Sequence, residues 1–279
     1  MPFVAPVNRK LKQLYQEYCT TVMNPPSVRI HFIGREFAST DTFVRNAFYC
    51  VSCAEYWDQS RGDGSVPRRN LVCQTIAKFG SLPVIQWAHE KGFPWDSGTC
   101  AVAAEHGYVD LLKWLHDNGC PWDENTCENA AKGGKLDALK FAHENGCPWN
   151  ASTCQMASLF GHLDDLKFAR ENGCPRDADS SWGAAKNGHL NVLRWLKANG
   201  CPWDERTCMC AAENGHIEVL QFARENHCPW TYTCSRAAGN GHLDILKWAH
   251  ENGCPWDTDT CASAEMNGHP EVSHWACNN

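Results

Sequence analysis

Eighteen cysteines, 13 histidines and 13 tryptophans in a chain of 279 residues supply the side chains that metal, redox or nucleophilic chemistry would need. Their spacing decides which of these is open. One set of cysteines sits before a proline, at Cys120, Cys147, Cys174, Cys201, Cys228 and Cys254, with Phe93 in the same place one unit earlier. The steps between these positions are 27 residues until the last, which is 26. A second set runs in parallel at Cys73, Cys100, Cys127, Cys154, Cys208, Cys234 and Cys261, with Ser181 in the vacancy. A structural zinc site takes four ligands about 2.0 to 2.3 Å from one ion, usually from cysteine pairs two to four residues apart. Cys120 and Cys127 are separated by six residues, and copies in successive units lie a helix diameter apart, so neither set closes a tetrahedron. The second set also falls on inward positions of a predicted helix, where cysteine behaves as a small hydrophobe. Packing is therefore the reading, no metal or cofactor is expected, and a thiol-based metal or redox response is the alternative. Cys50 and Cys53 form a Cys-x-x-Cys pair with no second pair nearby to complete a zinc site.

The histidines follow the same period. His162, His189, His216, His242 and His269 each follow a glycine and can bond the start of the next helix. His89, His116, His143 and His250 alternate with Arg170, Lys197 and Arg224, so that position asks for positive charge near a helix C-terminus. No His-Glu-x-x-His, Gly-x-Ser-x-Gly or phosphate-binding glycine loop occurs, and no enzyme is expected. Trp95, Trp122, Trp149, Trp203, Trp230 and Trp256 form a column at the Cys-Pro corner. Rings so placed either seal adjacent units or, if bare, stack a ligand; sealing is expected.

These columns need a repeating scaffold. Segments such as "LDALKFAHENG" (136–146) and "LDILKWAHENG" (243–253) place apolar residues at helical spacing, with Gly and then Pro as a stop. A shorter helix precedes each, starting after Asp123, Asn150 or Asp204 as N-cap and lined by small residues such as Cys127, Ala130 and Ala131. Ordering one 27-residue unit costs about 40 kcal/mol, which needs roughly 1,600 Å² of buried apolar surface. Two short helices alone cannot bury that much; stacking on like neighbours can. The fold class predicted is all-α, a solenoid of helical hairpins.

"AAENGHIEVLQFARENH" (211–227) and "AAGNGHLDILKWAHENG" (237–253) resemble the ankyrin repeat, with its Ala-Ala, Gly-His-Leu and terminal Gly. The resemblance spans residues 66–279 as about eight units. Thr-Cys replaces the family's Thr-Pro-Leu-His, and units are about six residues short of the usual 33, the length of the β-hairpin finger. The resemblance implies a shortened, finger-less ankyrin-like solenoid that recognises a protein. Residues 1–65 fall outside the period. They are expected to form an N-terminal helical cap; the alternative is a degenerate F-box-like ubiquitin-ligase adaptor, on the order Phe37, Asp41, Val51, Trp57.

Thirty-two acidic against 25 basic residues give a net charge of −7 with no basic block, which argues against nucleic acid as partner. With no long apolar run and no signal-peptide pattern, a cytoplasmic protein with no membrane association is expected, the nucleus also being open to it, and its thiols mostly reduced. Partner recognition is expected where the repeat breaks its own rules. Arg176 stands in the Trp column, Ser180-Ser181 replaces Thr-Cys, Trp182 replaces a Glu, Gln or Met, and Asp165 interrupts an apolar column. Arg and Trp carry much of interface energy. Glu128, Asn129, Met156, Arg206, Met209, Tyr232 and Arg236, variable positions of the first helices, complete the expected binding surface of a monomeric scaffold.

Overall fold

The computed structural model describes residues 70–175, 179–256 and 258–278. The expected N-terminal cap or adaptor segment, Cys50 and Cys53, and Arg176 lie outside these residues. The chain divides into two compact units, the first ending at Trp122 and the second starting at Asp123. Among the described residues sixteen α-helices and no strands occur. In the first unit these are α1 (Asn70–Lys78), α2 (Leu82–Glu90), α3 (Ser97–Glu105) and α4 (Val109–Asp117). In the second they are α5 (Glu124–Gly133), α6 (Leu136–Glu144), α7 (Ala151–Leu159), α8 (Leu163–Glu171), α9 (Asp179–Lys186), α10 (Leu190–Ala198), α11 (Glu205–Glu213), α12 (Ile217–Glu225), α13 (Thr233–Gly239), α14 (Leu243–Glu251), α15 (Thr258–Met266) and α16 (Pro270–Asn278). Odd-numbered helices open each hairpin and even-numbered ones close it. Within the second unit the opening helices pack one on the next from α5 to α15.

Local chemistry sets both ends of these helices. Asp123, Asn150 and Asp204 take extended backbone and accept from the N–H groups of Asn125, Ser152 and Arg206, the N-caps the sequence predicts. At the far end of α6, Asn145 Nδ2 donates to the Phe141 carbonyl at 2.8 Å, Gly146 turns left-handed at φ 84°, and Cys147 N–H reaches back to Ala142 O at 2.9 Å. That is a Schellman closure, and the same Asn-Gly-Cys sequence writes it after α4, α8, α10 and α14. After α12 the glycine position is held by His227 at φ 61°, a region that costs an L-residue about 1 to 2 kcal/mol. His227→Gly is expected to raise stability by about 1 kcal/mol, read as a higher urea midpoint at unchanged slope.

Small residues on the opening helices and leucines on the closing ones form the core. Cys127, Ala130, Ala131, Cys208, Ala211 and Ala212 are fully buried, as are Leu139, Leu166, Leu193 and Leu220. Thr99, Thr126, Thr153, Thr207, Thr233 and Thr260 add a buried hydroxyl column beside the inner cysteines, with Ser180 in the remaining place.

The turn histidines differ from expectation. His162, His189, His216 and His242 do not serve their own helix; each Nε2 donates about 30 residues back, to the carbonyls of Lys132, Leu159, Lys186 and Glu213 at 3.1 Å. Each ring therefore ties one hairpin to the preceding one. The His189 ring lies so close over Gly161 that a Cβ there would fall 2.6 Å from Nδ1, which explains the glycine as much as its φ of 78° does. Burial pushes the His189 pKa down, which keeps the ring neutral.

Candidate functional site

The two cysteine columns meet. Cys100 hydrogen-bonds Cys120, Cys127 bonds Cys147 and Cys208 bonds Cys228, joining the opening helix of a hairpin to its exit corner 20 residues later. The corner thiols also donate back to the preceding N-cap: Cys147 Sγ to Asp123 O, Cys174 to Asn150 O and Cys228 to Asp204 O, each at 3.2 Å. The neighbouring thiol and then burial push Cys120, Cys127 and Cys208 well above the ordinary thiol range, the hydrogen bonds from Cys127 and Cys208 hold Cys147 and Cys228 below it, and burial lifts Cys73 to about 11. Protonated, buried thiols are poor nucleophiles and poor metal ligands. Ser181 keeps the link in its unit by donating to Pro202 O at 3.2 Å. Cys261 and Cys277 are joined in a disulfide between α15 and α16.

The tryptophan column packs against its neighbours but only Trp230 is buried, the other described rings being half-exposed, and the cation column has a second role. His89, His116 and His143 stack on Trp95, Trp122 and Trp149 with centroids 3.7 to 4.0 Å apart. Lys197 Nζ and the Arg224 guanidinium lie 4.7 and 3.8 Å from the ring centroids of Trp203 and Trp230. The other side of Trp149 meets the edge of Phe168 in the next hairpin, and that of Trp203 the edge of Phe222. Arg170, whose corner holds Arg176 in place of tryptophan, donates to Cys174 O at 2.7 Å, as Arg224 also does to Cys228 O at 3.2 Å.

An organised polar group at the surface of the second unit lies where the repeat departs from its pattern. Arg206, at the start of α11, clamps two carboxylates: Nη1 meets Asp179 Oδ1 at 2.8 Å, and Nη2 and Nε meet Asp204 Oδ2 at 2.7 and 2.8 Å. Asp179 also accepts from Trp182 Nε1 at 2.9 Å, and the guanidinium lies 6.0 Å from the Trp182 ring centroid. Bidentate contacts of this kind fix a side chain that would otherwise sample many rotamers. The Trp182 and Arg206 side chains are thus held in place while still half-exposed.

Other predicted positions fall on the same row of opening helices. Glu128, Trp182 and Met209 hold equivalent positions on α5, α9 and α11; Asn129, Met156 and Arg236 hold the next position on α5, α7 and α13. Asn129 donates to Asn125 O at 2.8 Å, Met156 and Met209 are half-buried, and Arg236 is exposed. Tyr232 is 56% exposed and left-handed at φ 62°, because the residue missing from the 26-residue unit is taken out of this N-cap corner. Phe160, 40% exposed at the end of α7 with Lys132 over its ring, belongs to the row but was not predicted. The signal was available, since α9, α11 and α13 are each followed by Asn in that place. Asp165 has to be withdrawn from the surface. It is 3% exposed on α8, so a partner does not reach it in this structure.

No protein-family model matches the chain, and no curated protein matches it in sequence. In three dimensions it is similar to the crystal structure of the human ASB11 ankyrin repeat domain, with a TM-score of 0.51 and 15% identity over 63% of this chain and 96% of that one. No helix among the described residues is long and apolar enough to cross a membrane. The fold is an all-α, ankyrin-like helical repeat solenoid.

Proposed function

We propose that this chain is a non-enzymatic, monomeric scaffold that binds a protein partner through the exposed row of opening helices in its second unit. The reading takes residues 66–279 as about eight ankyrin-like units of 26 to 27 residues that lack a finger, and residues 1–65 as their helical cap, in a cytoplasmic protein. One observation carries it: Trp182 and Arg206, the residue types richest in binding energy, are immobilised at the surface by Asp179 and Asp204 before any partner arrives. A pre-ordered surface spends little entropy on association. The net charge of −7 and the interleaved acidic residues around Arg206 favour protein over nucleic acid. The ankyrin-like fold supports the same class.

Affinity capture from the native cell, with the wild-type chain beside Trp182→Ala/Arg206→Ala, tests this. The double variant should keep its helical content and lose specific partners at least tenfold, as expected for a cost of about 2 kcal/mol or more. Equal recovery of the same partners by both baits would overturn the reading.

A further inference from the structure

The last described hairpin breaks three of the repeat's columns at positions that converge. Glu265 occupies a place filled by Ala in Ala104, Ala131, Ala185, Ala212 and Ala238. Cys277 stands where the other hairpins have His, Lys or Arg, and Ser273 where they have Leu or Ile. Glu265 lies one helical turn beyond Cys261 on α15, and Cys277 faces both from α16. The two sulfurs and a carboxylate oxygen lie within 4.8 Å of one another, with a Cα–Cα distance of 5.4 Å between the cysteines.

We propose that this cluster is a redox-gated site for a soft divalent cation of the Zn²⁺ type, with Cys261, Cys277 and Glu265 as ligands. Two thiolates select zinc over calcium or magnesium, and tetrahedral bonds of about 2.0 to 2.3 Å need ligand atoms roughly 3.5 Å apart, a small adjustment from the present spacing. Ser273 Oγ donates to Glu265 Oε1 at 3.3 Å and sits 3.8 Å from Cys277 Sγ, so it orients the carboxylate toward the sulfurs. An open depression of about 450 Å³, lined by Glu265, His269, Ser273, His274 and Cys277, gives an ion access and leaves the fourth position to water. The Cys261–Cys277 disulfide is the closed state. A small dithiol opens it: two electrons and two protons pass to the cysteine sulfurs, the S–S bond breaks, and the reagent is oxidised to its own disulfide. The cation then displaces one proton from each thiol. The inner thiol pairs differ in being buried, with their corner sulfurs donating to backbone carbonyls.

Titration of the full chain with Co²⁺, after reduction and in a non-coordinating phosphine reductant, tests the site. The wild-type protein should take up one equivalent with a thiolate-to-cobalt charge-transfer band that Zn²⁺ abolishes. Cys277→Ser should remove the band, and Glu265→Gln should weaken uptake about tenfold, both on exposed side chains and with helical content unchanged. Oxidation should hide two thiols and abolish uptake, and reduction should restore both. A wild-type protein without the band, or a band that persists in Cys277→Ser, would overturn the proposal.

Discussion

Asp165→Val is expected to stabilise the second unit by about 2 to 4 kcal/mol at neutral pH, an unusual gain for a single substitution. The position belongs to a buried apolar column of α8 and its equivalents, where Val192, Val219 and Ile245 stand in other hairpins. Asp165 is 3% exposed, its Oδ1 has no hydrogen-bond partner, and burial raises its pKa from 3.8 to about 7. A folded-state pKa above the unfolded one means that folding takes up a proton between those values. Stability should therefore fall as pH rises from about 4 to about 7 and carry the full penalty above that. Below pH ~4 the carboxyl is protonated in both states and the penalty vanishes. Urea unfolding of wild type and variant across this range isolates the effect, because other titrating groups cancel in the difference. Equal midpoints at neutral pH, or a difference that does not shrink toward acid, would show that Asp165 is solvated or paired.

Asp165 also shows where the sequence stops being legible. Its column could be read from the 27-residue period, and so could its being an exception; that the exception lies inside rather than on the binding face takes the packing of α8 to see. The hairpins, their N-caps and their glycine stops were readable because each is a local rule acting within a few residues. Cys127 with Cys147, or His189 with Leu159 O, could not be found that way. Those pairs are 20 and 30 residues apart, and spacing alone does not say which faces of two helices meet. The cation column was half-legible: a helix C-terminus explains a charge at His143 or Arg224, but not why His, Lys and Arg all satisfy it. A tryptophan face six residues on explains all three, since each can lie flat or point a cation at the ring. Variability marks Trp182 and Arg206 separately in the sequence, but nothing there joins them, because acidic residues at a helix start look like ordinary caps.

Trp230→Ala should cost about 3 to 5 kcal/mol, the largest loss expected from the tryptophan column. Its ring is 7% exposed, held between the Arg224 guanidinium at 3.8 Å and the edge of Trp248 at 6.1 Å, whereas the other described rings of the column remain half-exposed. The reason is local. With one residue missing from this corner the chain turns sharply at Tyr232, and the indole fills the space behind the turn. Truncation removes the contact between α12 and α14 while leaving every helix its own caps. In a stack stabilised by nearest neighbours the damage should stay near that joint. Hydrogen exchange should show α13 to α16 losing protection while α5 to α8 keep theirs, and urea unfolding should separate into two steps. Uniform loss of protection from α5 to α16 would mean that the unit folds as a single cooperative block, and that the corner tryptophans bind the whole stack rather than only adjacent hairpins.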